Sequence, residues 1–334
     1  MTEQAYPRAW ENRRARTERA KPVGYYGLPV IHRPHWKWEI VLYFFFGGIA
    51  AGSYIVATIA ALFGGAAGRE IARAGRYVSL AALLPSPILL ILDLGRPERF
   101  YNMFRVFKLR SPMSVGTWGL LAFSGFSALS AAIQAAEDGL FGQTTAPARL
   151  LRTLSKRLIG VLGLGPAFFV GGYTGVLLAA TAVPLWTKSY LIMGPLFLTS
   201  AFSSATAAIA IVLAASRRAN PIALQRLERL DALALVAELA LLVVLRRNLS
   251  PTVARPLDEG RLGRLHRTGV LGAGIAAPLA LQVPTALLGR YPSRVTTGLA
   301  SVLTLAGGLL LRYVMINAGK RSADDPAATL GDGR

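Results

Sequence analysis

The chain has 334 residues, of which 53% are hydrophobic and only 16% are charged, and its mean hydropathy is +0.44. This composition excludes an ordinary soluble globular protein and favours an integral membrane protein. The formal net charge of +20 does not indicate nucleic-acid binding, because the Lys and Arg residues lie in short loops beside apolar runs, where lipid headgroups and insertion bias account for them.

Apolar runs of about 20 residues, the length that crosses the hydrocarbon core of a bilayer, recur along the chain. Their approximate ranges are 37–63, 74–94, 115–136, 157–183, 190–215, 228–246, 268–289 and 295–318. The sequence therefore predicts an all-α integral membrane protein with eight transmembrane helices. A weak similarity between "FFFGGIAAG" in the first span and "FFVGGYTG" in the fourth favours an arrangement as two four-helix bundles.

The polar ends of the chain divide it into three parts. Residues 1–35 are polar and basic and lack the apolar stretch of a signal peptide, so they are expected to form an extramembrane N-terminal arm. Residues 36–318 form the membrane domain, and residues 319–334 are expected to form a flexible C-terminal tail.

Loop charge predicts the orientation of the chain. The loops on the side of the N-terminus carry 23 Lys and Arg residues, and those on the other side carry 13. Because positively charged loops are retained in the cytoplasm, we expect both termini to be cytoplasmic and the chain to lie in the inner membrane of the cell.

The most polar connection joins the second and third spans, with the sequence "LDLGRPERFYNMFRVFKLRSPMSVGTW". Asp93 ends the second span, where an acid opposes the helix dipole. Two interpretations follow. In one, Arg96 or Arg99 neutralises the carboxylate in a salt bridge that fixes the loop. In the other, Asp93 is a site residue that binds or protonates a ligand at the headgroup level.

Tyrosines stand near the same membrane face in two other spans. Tyr173 and Thr174 lie in "GGYTGVLLAATAVPLW" of the fourth span, where glycines permit close helix packing. Close packing alone is one interpretation, and a phenol that hydrogen-bonds a carbonyl oxygen from the apolar interior is the other. Tyr43 lies near the start of the first span, so topology predicts that Tyr43, Asp93 and Tyr173 converge beside the basic connection.

Two ionisable residues lie in the middle of predicted spans, Glu238 in the sixth and Arg312 in the eighth. Charged groups at this depth are costly unless they are paired or hydrated. They are placed to form a buried ion pair that fixes helix register, or to belong to a proton path or ligand site.

The residue types that bind metals in electron-transfer proteins are scarce. The chain has no Cys and three His, of which His32 and His35 lie in the arm and His266 at the start of the seventh span. A transmembrane haem needs axial ligands inside the bundle, and an iron–sulfur cluster needs thiolates. We therefore expect no haem, no metal and no iron–sulfur cluster in this chain.

Several segments occur in a specific order and spacing: "DLGRPERFYNMF", "SPMSVGTW", "YTGVLLAATAVPLW", the span with Glu238, and "LLLRYVMINAG". Through them, residues 36–318 resemble the NrfD/polysulfide-reductase membrane-subunit family. Members of that family bind quinone, hold no cofactor of their own and exchange electrons with a four-cluster iron–sulfur subunit, usually bound to a molybdopterin catalytic subunit. The resemblance implies menaquinone or ubiquinone, these two partner subunits and membrane lipids.

The resemblance also implies roles for single residues. Tyr173 would hydrogen-bond a quinone oxygen, with Thr174 and Arg96 beside it, and Asp93 would line the pocket or supply protons. Tyr43 would belong to the same site, although some relatives carry His there. Asp93, Glu238 and Arg312 would form a proton path. The basic residues that would dock the iron–sulfur partner are Arg96, Arg99, Arg105, Lys108 and Arg110.

Two functions of other classes remain open. One is a secondary transporter or ion channel, in which Asp93, Glu238 and Arg312 line the substrate path and glycine-rich helices form gates. The other is a purely structural anchor that holds a soluble enzyme at the membrane.

Overall fold

The computed structural model describes residues 31–32, 34–94, 96–105, 107–142, 144–216 and 220–330. Most of the predicted N-terminal arm lies outside the described residues. Within them the secondary structure is helical and contains no strand, so the all-α prediction is confirmed.

Fifteen α-helices follow one another along the described residues, with one 3₁₀-helix and one π-helix. They are α1 (Trp38–Phe63), α2 (Gly65–Leu83), α3 (Pro85–Leu92), α4 (Pro112–Glu137), α5 (Ala146–Thr153), α6 (Lys156–Leu162), α7 (Leu164–Ala179), α8 (Pro184–Thr187), α9 (Tyr190–Ala215), α10 (Pro221–Asn248), α11 (Pro251–Asp258), α12 (Gly260–Arg264), α13 (Ala277–Ala286), α14 (Arg294–Asp324) and α15 (Pro326–Leu330). The 3₁₀-helix, Pro97–Phe104, follows α3, and the π-helix, Leu265–Ala276, joins α12 to α13.

Local sequence sets where these helices begin. Proline stands in the first turn of α3, α4 and α10, where its missing N–H removes no intrahelical hydrogen bond. The side chains of Asn220 and Ser293 accept hydrogen bonds of 2.9 and 3.1 Å from backbone amides two and three residues later, and so cap α10 and α14. Gly65, with a φ of 60°, turns the chain sharply from α1 into α2.

Seven helical stretches of the described residues are long and apolar enough to cross a membrane. They are Trp38–Phe63, Gly65–Leu92, Pro112–Glu137, Lys156–Ala179, Tyr190–Ala215, Gly260–Ala286 and Arg294–Ala323. The predicted span at 228–246 falls within α10, which has 28 residues but is not among these seven. Charged side chains along α10 lower its hydropathy, and an eighth crossing remains a prediction.

Two helices, α1 and α9, lie at the centre of the molecule. They contact each other, and both contact α7 and α14. The helices α1, α2, α4 and α7 form a closed ring in which each contacts the next, and α9, α10, α13 and α14 form a second ring of the same kind. A continuous apolar core with Phe44, Phe123, Phe197 and Met315 runs through both rings.

One end of the bundle carries the segment 93–111, which we call the connector, and we call this end the connector face. The start of α1, the end of α3, the start of α4 and the end of α14 all lie there. Trp186 of α8 joins these elements: its Nε1 donates to the carbonyl of Met315 at 3.0 Å, and its ring stacks on Trp36 with centroids 5.3 Å apart. Of residues 319–334, expected to form a flexible tail, 319–324 end α14 and 326–330 form α15, while 331–334 lie outside the described residues.

Candidate functional site

Tyr173 is buried in α7, about two turns before the end of that helix. Its hydroxyl donates a hydrogen bond to the backbone carbonyl of Pro112 at the start of α4. Its ring centroid lies 5.0 Å from that of Phe169. A Cβ atom on Gly116 would lie 2.3 Å from the Tyr173 hydroxyl oxygen, so a glycine at this point of α4 makes room for the phenol.

Tyr43 lies in the second turn of α1 and is buried, as is Thr174, the neighbour of Tyr173. The helices that carry Tyr43 and Tyr173, α1 and α7, contact each other. The structure therefore places two buried tyrosines on neighbouring helices at the connector face.

Asp93 follows the last turn of α3 and is partly buried. Burial, followed by repulsion from Glu39, raises the pKa of its carboxyl group, while Lys37 and Lys320 act in the opposite direction. Glu39 is a member of this site that the sequence analysis missed. It lies at the start of α1, and its Oε2 atom is buried without a hydrogen-bond partner among the described residues.

The arginines expected to neutralise Asp93 lie elsewhere. Arg96 and Arg99 are exposed on the connector, and neither forms an ion pair with Asp93 in the part of the sequence that the structure describes. Among the described residues, the structure therefore lacks the salt bridge that the first interpretation of Asp93 requires.

The connector presents its basic residues to the outside. All five predicted docking residues are exposed, and no described carboxylate forms an ion pair with them. They are Arg96, Arg99, Arg105, Lys108 and Arg110. Large apolar side chains stand among them, with Tyr101 at 54%, Phe107 at 55% and Leu109 at 77% exposure.

An apolar cavity of about 170 Å³ lies between α3, the 3₁₀-helix and α4. Its lining residues are Pro87, Leu90, Ile91, Phe100, Met103, Phe104, Thr117, Leu120, Leu121 and Ser124. Thr117 follows Gly116, which contacts the Tyr173 hydroxyl, and Ile91 lies two residues before Asp93. The cavity therefore adjoins the helix segments that carry or contact these two polar groups.

Arg312 and Glu238 are both buried, at 1% and 2% exposure. The Arg312 guanidinium donates to the carbonyls of Gly308 at 2.7 Å and Phe44 at 3.1 Å and to the hydroxyl of Ser200 at 3.1 Å. Ser203, three residues after Ser200 on α9, donates a hydrogen bond of 3.1 Å to Glu238. The two charged groups are thus held by serines of one helix and form no direct ion pair among the described residues.

Two further buried acids on α10, Glu228 and Asp231, escaped the sequence analysis. Asp231 accepts a hydrogen bond of 2.6 Å from the side-chain amide of Gln282. Two threonine hydroxyls, those of Thr206 and Thr304, lie 3.3 Å from its oxygens. A carboxyl group in the apolar core thus has a polar partner from each of three neighbouring helices.

The spacing of the acids along α10 could have identified them from the sequence. Glu228 and Asp231 are three residues apart and Glu238 follows seven later, which places all three on one helix face. Glu228 accepts a hydrogen bond of 2.5 Å from Thr297 of α14, and Glu238 accepts one of 3.1 Å from Ser203 of α9. We call these three acids and Arg312 the buried polar line.

Among the described residues, His, Asp and Glu side chains do not gather in any group of three or more that could hold a metal ion. Side chains that could hold an organic cofactor are found at the connector face instead. They are the phenols of Tyr43 and Tyr173, the Asp93 carboxyl and the apolar walls of the adjoining cavity.

Comparison with known proteins agrees with the resemblance seen in the sequence motifs. The family model described as polysulphide reductase, NrfD, matches residues 31–322. The C chain of polysulfide reductase from Wolinella succinogenes is 27% identical over 307 residues, which cover 85% of this chain and 94% of that protein. Protein NrfD of Escherichia coli is 29% identical over 316 residues, covering 85% of this chain and 95% of that protein.

A third relative matches over a shorter stretch. The C subunit of selenate reductase from Mesobacillus selenatarsenatis is 29% identical over 83 residues, or 25% of this chain and 19% of that protein. The family match covers most of the sequence and coincides with the apolar helices. The chain is therefore a multi-pass membrane protein that belongs to the polysulphide reductase NrfD family, whose members are membrane subunits of oxidoreductase complexes.

Proposed function

We propose that this chain is the quinone-binding membrane subunit of a multisubunit oxidoreductase. In this role it exchanges electrons between an iron–sulfur partner subunit, itself bound to a molybdopterin catalytic subunit, and the menaquinone or ubiquinone of the membrane. One observation carries the proposal: a buried phenol and a partly buried carboxyl lie at the end of the bundle where an exposed basic connector stands, close in sequence or by contact to the helix segments that wall an apolar cavity.

The residues at the connector face suit a quinone. Its ring and tail are apolar, as is the cavity wall, and its two oxygens need hydrogen-bonding groups. When bound, a quinone supplies two-electron redox chemistry together with the uptake or release of two protons.

Tyr173 is the positioning group of this proposal. Its single hydrogen points to the carbonyl of Pro112, so its oxygen offers lone pairs to a ligand O–H. Rotation of the hydroxyl away from Pro112 would instead let it donate to a ligand carbonyl. The same phenol can therefore serve both redox forms of the ligand.

Asp93 is the proton-holding group. Its raised pKa means that it keeps a proton to higher pH than an ordinary aspartate does. Its position at the end of α3 lets it exchange that proton with water, whereas Tyr173 is more deeply buried.

The connector is the docking surface for the iron–sulfur partner in this proposal. Its five exposed basic residues form no ion pair with a described carboxylate, so they are available to an acidic partner surface. Exposed aromatic residues among them, such as Phe107, add the apolar contact area that interface centres use.

The buried polar line supports proton movement as a second part of the proposal. The hydroxyls of Ser203, Thr206 and Thr297 each lie between a carboxyl group of α10 and a backbone carbonyl of their own helix. Each hydroxyl has one hydrogen, so it can donate to an ionised carboxylate, or donate to the carbonyl while accepting from a protonated acid. The line can thus accommodate either protonation state of its acids.

The proposal includes eight membrane crossings in two four-helix bundles, with both termini in the cytoplasm and the partner on that side. Contacts at the two ends of α10 support the eighth crossing. Near its start Arg226 hydrogen-bonds the carbonyl of Gly64, at the end of α1, and near its end Arg246 pairs with Asp258 of α11 at 2.6 Å.

The test is quinone-linked turnover of the purified complex with Tyr173→Phe. We expect turnover to fall by roughly 10- to 100-fold, because the substitution removes a hydrogen-bonding group that acts on developing charge, while the partner subunits still copurify. Tyr190→Phe, an exposed tyrosine at 61% exposure, is the matched control and should keep wild-type turnover. Normal turnover in Tyr173→Phe would refute the role of this phenol.

A second pair of variants tests the position of the phenol and leaves its chemistry intact. Gly116→Ala puts a methyl group within 2.3 Å of the Tyr173 hydroxyl, whereas Gly125→Ala on the same helix meets no atom within 4 Å. We expect Gly116→Ala to lose quinone-linked turnover and Gly125→Ala to retain it, with both complexes assembled. Equal turnover in the two variants would contradict a site at Tyr173.

The buried polar line also favours a second candidate function, ion transport without electron transfer. Purification in mild detergent separates the two functions. Copurification of stoichiometric iron–sulfur and molybdopterin subunits supports the redox proposal, and a chain that purifies alone and moves ions in proteoliposomes supports transport.

A further inference from the structure

A large groove of the described residues has no part in the proposed quinone site. It has a volume of about 620 Å³ and opens at the connector face between the start of α1, the junction of α12 with the π-helix, and the last turns of α14. Three basic side chains stand in its lining, those of Lys37, Arg261 and Lys320, and no described carboxylate lines it.

The basic residues share one depth. Lys37 immediately precedes α1, Arg261 is the second residue of α12, and Lys320 lies in the last two turns of α14. Each therefore stands at the end of a membrane-spanning stretch on the connector face. This is the level of the lipid headgroups, where lysine and arginine are expected to meet phosphate.

Apart from Asn317, the rest of the groove is lined by apolar and aromatic residues and runs into the membrane. Its deepest residue on α14 is Leu309, eleven residues before Lys320, which at 1.5 Å per residue is about 16 Å along the helix. The hydrocarbon core of a bilayer is about 30 Å thick, so one leaflet contributes about 15 Å. The apolar part of the groove therefore has the length of one leaflet.

We propose that this groove binds an anionic phospholipid. The phosphate group lies among Lys37, Arg261 and Lys320, and an acyl chain follows the apolar wall. The apolar residues of that wall are Val41, Leu42, Leu265, Leu309, Leu310, Tyr313 and Ile316. Three of the lining residues are basic and none of the described lining residues is acidic, so the groove favours an anion over a neutral occupant such as a quinone.

The site also has a structural consequence. Lys320 donates a hydrogen bond to the carbonyl of Trp36, and the Trp36 ring stacks on Trp186. A phosphate held by Lys320 would therefore add a contact to the elements that close the connector face. Bound lipid is expected to raise the melting temperature of the purified protein.

The experiment uses the purified full-length protein, depleted of lipid in detergent and titrated with phosphatidylglycerol or phosphatidylcholine. Bound lipid is counted by native mass spectrometry, and the melting temperature is recorded. We expect phosphatidylglycerol to bind and stabilise more strongly than phosphatidylcholine. Arg261→Gln and Lys37→Gln should each weaken phosphatidylglycerol binding by roughly fivefold.

Arg264→Gln is the matched control, because Arg264 is exposed on the same short helix but does not line the groove. It should bind phosphatidylglycerol as the wild type does. The proposal is overturned if Arg261→Gln and Arg264→Gln bind this lipid equally, or if both lipids bind the wild type equally. Displacement of phosphatidylglycerol by added menaquinone would assign the groove to quinone instead.

Discussion

At the scale of single residues, two carboxyl groups from distant parts of the sequence meet at the connector face. Asp93 ends the second span and Glu39 begins the first, and repulsion between them adds to burial in raising the pKa of Asp93. A carboxyl whose pKa is raised by folding favours the folded state in its protonated form. Its contribution to stability is therefore lost as the pH rises through the raised pKa.

Glu39→Gln is predicted to shift the pH profile of quinone reduction to lower pH. The substitution removes a neighbouring negative charge, so the pKa of Asp93 falls and its proton is lost earlier as the pH rises. Turnover of the purified complex across a pH series measures the shift. Glu98→Gln, an exposed acid on the connector, should leave the profile unchanged. An unshifted profile in Glu39→Gln, or a shift to higher pH, would contradict the role of Asp93 as proton donor.

The sequence predicts Tyr43, Asp93 and Tyr173 at one membrane face, because counting crossings assigns each residue to a face without any side-chain contact, and the structure has the helix segments that carry them at one end of the bundle. It was not enough to find Glu39, since its proximity to Asp93 depends on how α1 packs beside α3. Asp231 escaped for another reason. The predicted span begins at 228, which places Asp231 in its first turn, near the membrane boundary. In the structure α10 begins at Pro221, about two turns earlier, so Asp231 lies well inside the helix.

At the scale of elements, the π-helix of the seventh span packs against α14 through two glycines. A Cβ atom on Gly307 would lie 2.3 Å from the Cα of Gly274, so the backbones approach more closely than any side chain permits. The positions of apolar residues predicted that both helices exist. They did not predict the π-helix, because the spacing of apolar residues indicates a helix without distinguishing a short π-helical stretch from an α-helix.

Gly307→Ala is predicted to destabilise the protein, because the added methyl group must push the two backbones apart. Overpacking of this kind costs about 1 to 3 kcal/mol of the free energy of unfolding. Gly298→Ala lies on the same helix with no atom within 4 Å of the added Cβ, and should leave stability nearly unchanged. The melting temperatures of the two variants in one detergent provide the measurement, and equal values would argue against a tight crossing.

At the scale of the whole molecule, loop charge and exposed residues together give a test of orientation. The sequence has no Cys, so each introduced cysteine is the only thiol. Leu109 on the connector and Leu140 beyond the end of α4 are 77% and 70% exposed and lie at opposite ends of the bundle. They offer equally accessible positions on the two sides of the membrane.

In intact cells, a membrane-impermeant thiol reagent is predicted to label Leu140→Cys and not Leu109→Cys, because the connector face is expected in the cytoplasm. Permeabilised cells that lack the partner subunit should show labelling of both variants, which separates orientation from burial under the partner. Labelling of Leu109→Cys from outside intact cells would reverse the orientation and place the docked partner outside the cytoplasm.

The guanidinium of Arg312 has a mechanical consequence for the molecule. It donates hydrogen bonds to the carbonyl of Phe44 on α1, the hydroxyl of Ser200 on α9 and the carbonyl of Gly308 on its own helix. One side chain therefore pins the two central helices to α14. A rocking motion between the two halves, as alternating access requires, would break bonds to a buried charge. Such a pin suits a rigid scaffold that holds a redox site at a fixed distance from its electron donor, and it resists the large movements of a transporter.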